Sequence, residues 1–163
     1  MVAVQFTGAL YVIQQMAAAM TKGAEDDANR GGSIITISSL TATLVAEGYA
    51  HYAGAKAGIN HATRIAASEY GADGVRVNVV SPTLIETPMT EHLLNAPGVK
   101  QAFLRETPLG RIGAIGDVVS AITWLAGDES SFVTGQNLHV DGGTSLRRLP
   151  RVEDFMRAAA EAE

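Results

Sequence analysis

The chain has 163 residues, 47% hydrophobic and 18% charged, the balance of a single globular domain with a sizeable core and not of a disordered segment. Twelve basic against seventeen acidic residues give a net charge of -5; with no basic stripe and few aromatics to stack on bases, nucleic acid is excluded as the expected partner. There is no cysteine, which excludes disulfides, thiol nucleophiles and thiolate metal sites and is compatible with a cytoplasmic location.

In chain order, residues 1–20 are apolar but broken by Gln5, Thr7, Gln14 and Gln15. They lack a basic leader and a cleavage-type end. The stretch reads as an amphipathic helix over 2–21, ended by Lys22-Gly23, and not as a signal peptide or membrane span. Residues 24–32 are polar and read as an exposed loop. Residues 33–38 (SIITIS) are a β-branched run bounded by glycines, the pattern of a strand buried on both faces. A helix is predicted over 49–70, stopped by Gly71 and Gly74. Its small residues Ala50, Ala53, Gly54, Ala57 and Gly58 would let another helix or a ligand approach closely. Residues 75–80 (VRVNVV) form a second strand, ended by Ser81-Pro82. Strand, helix and strand make a βαβ unit, so the fold class is α/β with a parallel sheet of about three strands and flanking helices.

Residues 84–110 carry Pro88, Pro97 and Pro108 between short helical pieces, and their length suggests a lid or binding loop. A helix is expected over 117–126, with Trp124 in its core. A last strand is expected over 136–140, followed by a tight Asp141-Gly142-Gly143 turn. The domain is taken as 1–148, with 149–163 a charged, exposed helical tail. Gly110, Gly113 and Gly116 are read as loop glycines and not as a phosphate cradle. His51, His61, His92 and His139 show no metal-ligand spacing, so no metal site is expected.

The chemistry concentrates at the carboxyl ends of the strands, where open parallel sheets bind ligands. Ser38 and Ser39 end the first strand. Tyr52 and Lys56 are four apart on the next helix, so a phenol and an ammonium lie on one face. A free phenol holds its proton until about pH 10, and a neighbouring cation favours the phenolate. Ser39 can donate to a substrate oxygen and Tyr52 can pass it a proton. The loop 81–87 adds an apolar ledge and the Thr87 hydroxyl.

The ordered set of a strand ending in Ser-Ser, twelve intervening residues, YxxxK, VRVNxVxPxxxxTP and a late TGQxLxVDGG resembles the short-chain dehydrogenase/reductase family over about Val4 to Gly143. The resemblance implies a Rossmann-like parallel sheet and an NAD- or NADP-dependent exchange between a secondary alcohol and a ketone, on a 3-oxoacyl or small alcohol substrate. It implies that Ser39 positions the substrate oxygen, that Tyr52 is the general acid/base, and that Lys56 stabilises the phenolate and bonds the nicotinamide ribose. Pro82, Ile85 and Thr87 would line the nicotinamide, and Asn78 would support the site from its strand. The resemblance also implies a homodimer or homotetramer through the helices 2–21 and 49–70.

Two departures stand beside it. Gln5 in VQFTG occupies the place of a family asparagine that helps to hold the lysine through water, and its extra methylene shifts the amide. The family's glycine-rich, diphosphate-binding half is read as missing, which leaves the 33–38 strand with an open hydrophobic edge. The alternative reading is therefore a non-catalytic, truncated interaction or dimerisation module of the same fold.

Overall fold

The computed structural model describes residues 1–21 and 31–161. The expected end of the first helix at Lys22-Gly23 and most of the polar loop lie outside the described residues. The chain opens with a π-helical segment, Ala3–Gly8, that runs into α1, Ala9–Thr21. Strand β1 covers Gly32–Ile37, helix α2 Ala50–Tyr70 and strand β2 Val75–Pro82. Strand β3 is Ile85–Glu86, followed by the short helices α3, Glu91–Leu94, and α4, Val99–Glu106. Strand β4, Gly113–Ala114, leads into α5, Ile115–Ala126; strand β5 is Asn137–Val140 and α6 is Val152–Ala160.

Three strands form a parallel sheet in the order β1-β2-β5, with Ile34 opposite Val77 and Val80 opposite Leu138. The α/β class and the parallel βαβ unit of the sequence pattern are therefore present. Strand β2 is central, and its β-branched run explains why: Val75, Val77, Val79 and Val80 are all buried, as expected of a strand covered on both faces. The core continues through Ile13, Ala17, Ile34, Ile59, Ala66 and Ala67, so α1 and α2 pack on one face of the sheet. Strand β1, expected to be buried on both faces, instead lies at the edge of the sheet, with Ile34 its one buried residue and Ile37 45% exposed.

The close approach foreseen for the small residues of α2 occurs at one of them. A Cβ on Gly58 would stand 2.9 Å from Phe6, so the glycine lets the π-helical segment lie against α2, whereas Gly54 faces open space. Asn78 has a structural role within the sheet. Fully buried, it donates from Nδ2 to the Val133 carbonyl at 2.8 Å and accepts from the Gln136 N–H at 3.0 Å, tying β2 to the turn before β5.

Four further features differ from expectation. Strands β3 and β4 form a small parallel sheet at the base of the 84–110 segment; two residues each are too few to show an alternating pattern. Gly113 belongs to β4 and Gly116 to the first turn of α5, so these two are not loop glycines. Trp124 is 42% exposed, because the buried stripe of α5 centres on Leu125 instead. The tail does form a helix, but it is not free-standing. Phe155 stacks on Phe103 of α4 with ring centroids 6.2 Å apart, Ala158 is buried, and Arg148 pairs with Glu106 and Asp154 at 3.3 and 2.6 Å. Gly98, at φ +75°, admits the Phe155 carbonyl where a Cβ would meet it at 1.9 Å. Among the described residues no helix is long and apolar enough to cross a membrane.

Candidate active site

Strand β1 ends at Ile37, and Ser38 and Ser39 follow at the carboxyl end of the sheet. Ser38 is buried, and its hydroxyl donates to the Lys56 carbonyl at 3.2 Å, pinning α2 to the end of β1. Ser39 has extended backbone angles and caps the single 3-10 turn Leu40–Ala42. Its Oγ accepts from the Thr41 N–H at 3.2 Å and from the Thr41 hydroxyl at 3.0 Å.

Tyr52 and Lys56 lie in the first two turns of α2. The Lys56 Nζ stands 5.7 Å from the centroid of the Tyr52 ring and donates to the Ile37 carbonyl at 2.8 Å. Only 8% of Lys56 is exposed, and this burial pushes its ammonium below the ordinary lysine value, because desolvation penalises the charged form. Tyr49 meets the Tyr52 ring edge-on, with centroids 6.4 Å apart. Carbonyl, ammonium and phenol thus occupy one corner, bounded by the end of β1 and the start of α2. No hydrogen bond joins Ser39 to Tyr52.

The other sequence-predicted residues follow from the end of β2. Pro82 is the last residue of β2 and pairs with Val140. Ile85 pairs with Gly113 in the small sheet. Thr87 donates its N–H to the Thr90 Oγ1 at 3.0 Å, while the Thr90 hydroxyl donates to the Ile85 carbonyl at 2.5 Å. Thr90 therefore fixes the loop that carries Ile85 and Thr87. A cavity of about 630 Å³ lies on the β5 side of this loop, lined by Thr83, Thr107, Leu109, Val140 and Asp141, and includes none of Ser39, Tyr52 and Lys56.

The lysine corner fits the ribose end of a nicotinamide cofactor. An ammonium has three donors; one is spent on the Ile37 carbonyl, and the remaining two can meet ribose hydroxyls. The glycines Gly113 and Gly116 do not offer a phosphate cradle. Asp117 accepts from the Ala114 N–H at 2.7 Å and pairs with Arg111, so a carboxylate already occupies the start of α5.

Helix spacing paired Tyr52 with Lys56, and the end of the first strand, with the ordered motif set and its family resemblance, added Ser39. Sequence reasoning placed Ser38 at the end of the strand without its bond to Lys56, and did not single out Thr41 or Thr90. A threonine two residues after a serine is a recurrent local hydrogen-bonding pattern and was the available signal for Thr41; Thr90 had no comparable one.

Comparison with known proteins shows the family. Residues 1–145 match the family model described as Enoyl-(Acyl carrier protein) reductase. The chain is 43% identical over 114 residues to the 3-oxoacyl-[acyl-carrier-protein] reductase of Salmonella typhimurium, covering 70% of this chain and 46% of that protein. It is 39% identical over 120 residues to 3beta-hydroxysteroid dehydrogenase 1 of Eggerthella lenta, covering 74% and 46%. Among solved structures, a short-chain type dehydrogenase/reductase from Mycobacterium ulcerans superposes with a TM-score of 0.87 at 34% identity, over 99% of this chain and 58% of that one. A gluconate 5-dehydrogenase from Burkholderia cenocepacia, in complex with NADP and tartrate, gives a TM-score of 0.80 at 29% identity over 88% and 54%. The chain thus spans about half the length of the curated relatives it matches. Fold, ordered motifs and the extent of the match together show that the chain belongs to the short-chain dehydrogenase/reductase family.

Proposed function

We propose that this chain carries the proton-transfer site of an NAD- or NADP-dependent oxidoreductase that interconverts a secondary alcohol and a ketone, of the 3-oxoacyl or small alcohol type. The observation that carries the reading is the Tyr52–Lys56 pair, held against the end of β1 by the Lys56–Ile37 hydrogen bond. When bound, a nicotinamide would serve as the hydride source for the carbonyl carbon. Tyr52 gives its proton to the carbonyl oxygen, which completes the alcohol. Lys56 offsets the negative charge left on the phenolate, an effect strengthened by the poor hydration of its corner. Ser39 donates to the substrate oxygen and holds it within reach of Tyr52. Pro82, Ile85 and Thr87 form the wall for the nicotinamide, and Lys56 is the residue for its ribose. The relatives that reduce 3-oxoacyl groups or act on hydroxysteroids support this class of reaction.

The test is fluorescence titration of the chain with NADH and NADPH, followed by an assay of cofactor oxidation with 3-oxoacyl thioesters and small ketones. Saturable binding with turnover supports the reading; a folded chain with neither contradicts it.

A second reading, a non-catalytic interaction or dimerisation module, is favoured by one observation. Tyr11, Val12 and Met16 of α1 and Ile65 of α2 are 63%, 56%, 48% and 47% exposed, and these helices are the ones proposed to pair in a homodimer or homotetramer. Cofactor titration together with mass measurement separates the cases: a stable dimer that binds neither NADH nor NADPH supports the module, and a stable monomer removes it.

A further inference from the structure

The hydroxyl of Ser39 is constrained on one side only. A serine hydroxyl has two lone pairs and one proton. Both lone pairs are filled by Thr41, through its backbone N–H at 3.2 Å and its hydroxyl at 3.0 Å. No group among the described residues accepts the Ser39 proton. The backbone donation alone is the ordinary cap of the turn Leu40–Ala42. The second donation, from the threonine side chain, is not needed for that cap.

We infer that Thr41 is a positioning residue for the oxidoreductase site: by filling the second lone pair of Ser39 it makes that hydroxyl a donor only, with its proton left for the substrate oxygen. The inference rests on the role proposed above for Ser39. Its consequence concerns where the Tyr52 proton goes. A serine with a free lone pair can accept from a neighbouring phenol, and a Tyr52 proton engaged there is not available to the substrate. With Thr41 in place that alternative is closed, and the substrate oxygen is the acceptor left for both hydroxyls. The chain of donors from Thr41 to Ser39 to the substrate also polarises each successive bond.

The arrangement favours one substrate chemistry. A ketone oxygen can accept from Ser39 and Tyr52 together. An alcohol oxygen can accept from Ser39 while giving its own proton to a Tyr52 phenolate, so one setting of Ser39 serves both directions. A protonated amine in place of that oxygen has no lone pair to offer and leaves the Ser39 proton unmatched.

The experiment uses the full chain as wild type, Thr41→Val, Thr41→Ser, Ser39→Ala and the Ser39→Ala/Thr41→Val double variant. Three-bond couplings of carbon-13-labelled Ser39 report its side-chain rotamer in the free chain, whether or not the chain turns over. Ketone reduction and cofactor binding are measured alongside. Thr41→Val is expected to average the Ser39 couplings and to lower kcat/KM about fivefold, the weight of one ordinary hydrogen bond, with the cofactor Kd unchanged. Thr41→Ser is expected to restore both. On the Ser39→Ala background the Thr41→Val change should cost nothing further, which a general structural role would not reproduce. Identical Ser39 couplings in wild type and Thr41→Val, or costs that simply add in the double variant, overturn the inference. Wild-type turnover by Ser39→Ala would instead refute the role proposed for Ser39, and the couplings would still decide the Thr41 contact.

Discussion

The Lys56 ammonium donates to the Ile37 carbonyl at 2.8 Å, so the cation beside Tyr52 is anchored to the last residue of β1 and does not swing freely on its stem. The anchor joins the two halves of the βαβ unit at the point where their chemistry meets. A lysine on a flexible arm would sample many positions; one fixed to a strand carbonyl holds its charge in a set place relative to the phenol.

The burial of Lys56 predicts a pH signature in stability. Burial lowers the Lys56 pKa from its ordinary value. Between the lowered and the ordinary value the unfolded chain holds more protons than the folded one, so the folded state gains stability as pH rises through that window. Lys56→Met lacks the gain. The difference in urea midpoint between wild type and Lys56→Met should therefore shift in favour of wild type from pH 7 to pH 10, and a difference independent of pH would contradict the burial argument.

Asp141 gives a signature of the same sign at the acid end of the range. Burial raises its pKa, but the Ser145 side chain and the N–H groups of Gly143 and Ser145, at 2.9 and 2.7 Å, outweigh burial and hold the carboxyl below its usual range. Its contribution is present above the ordinary carboxyl value and is lost as pH falls through the lowered one. Asp141→Asn should reduce stability at pH 7, and thermal melts should show the gap to wild type closing as pH is lowered towards 3.

Asn78 tests the tie between β2 and the turn before β5. Replacing it with leucine keeps roughly the volume but leaves the Val133 carbonyl and the Gln136 N–H without their partners. Two partly buried groups left unmatched cost about 2 kcal/mol together. Chemical denaturation should show a loss of that order with an unchanged m-value; a loss under 1 kcal/mol would show that the tie between β2 and the turn before β5 carries little.

Gly98 tests the docking of the tail. A side chain there would combine a strained positive φ with a clash against the Phe155 carbonyl. Gly98→Val should lift α6 from α4, seen as faster hydrogen exchange over residues 152–160, while β1, β2 and α2 keep wild-type protection. Unaltered exchange over 152–160 would mean that the helix is held by the Phe103–Phe155 stack and the arginine pairs alone.

The parts of the structure legible in the sequence are those with long, one-sided signals. The β-branched run 75–80 marks a covered strand, the helix spacing of Tyr52 and Lys56 puts a phenol and an ammonium on one face, and Ser39 follows from its place at the end of the first strand. What escaped depends on rotamers and on close packing. Nothing in the residue pattern says that Lys56 bonds the Ile37 carbonyl or that the Thr41 hydroxyl turns back onto Ser39. The tail looked exposed because its charges dominate the composition, yet Phe155 and Ala158 make a narrow apolar stripe, enough to dock on α4. Trp124 was assigned to the core on hydrophobicity alone, without the rotation of α5 that packing sets.

The central claim is that Tyr52 is the proton donor of a nicotinamide-dependent site, and the most direct test is steady-state ketone reduction by Tyr52→Phe beside wild type. The substitution removes one hydroxyl and no packing volume. Turnover should fall about a thousandfold, with cofactor affinity, circular dichroism and oligomeric mass unchanged. Turnover within tenfold of wild type would contradict the assignment of Tyr52 and the mechanism built on it.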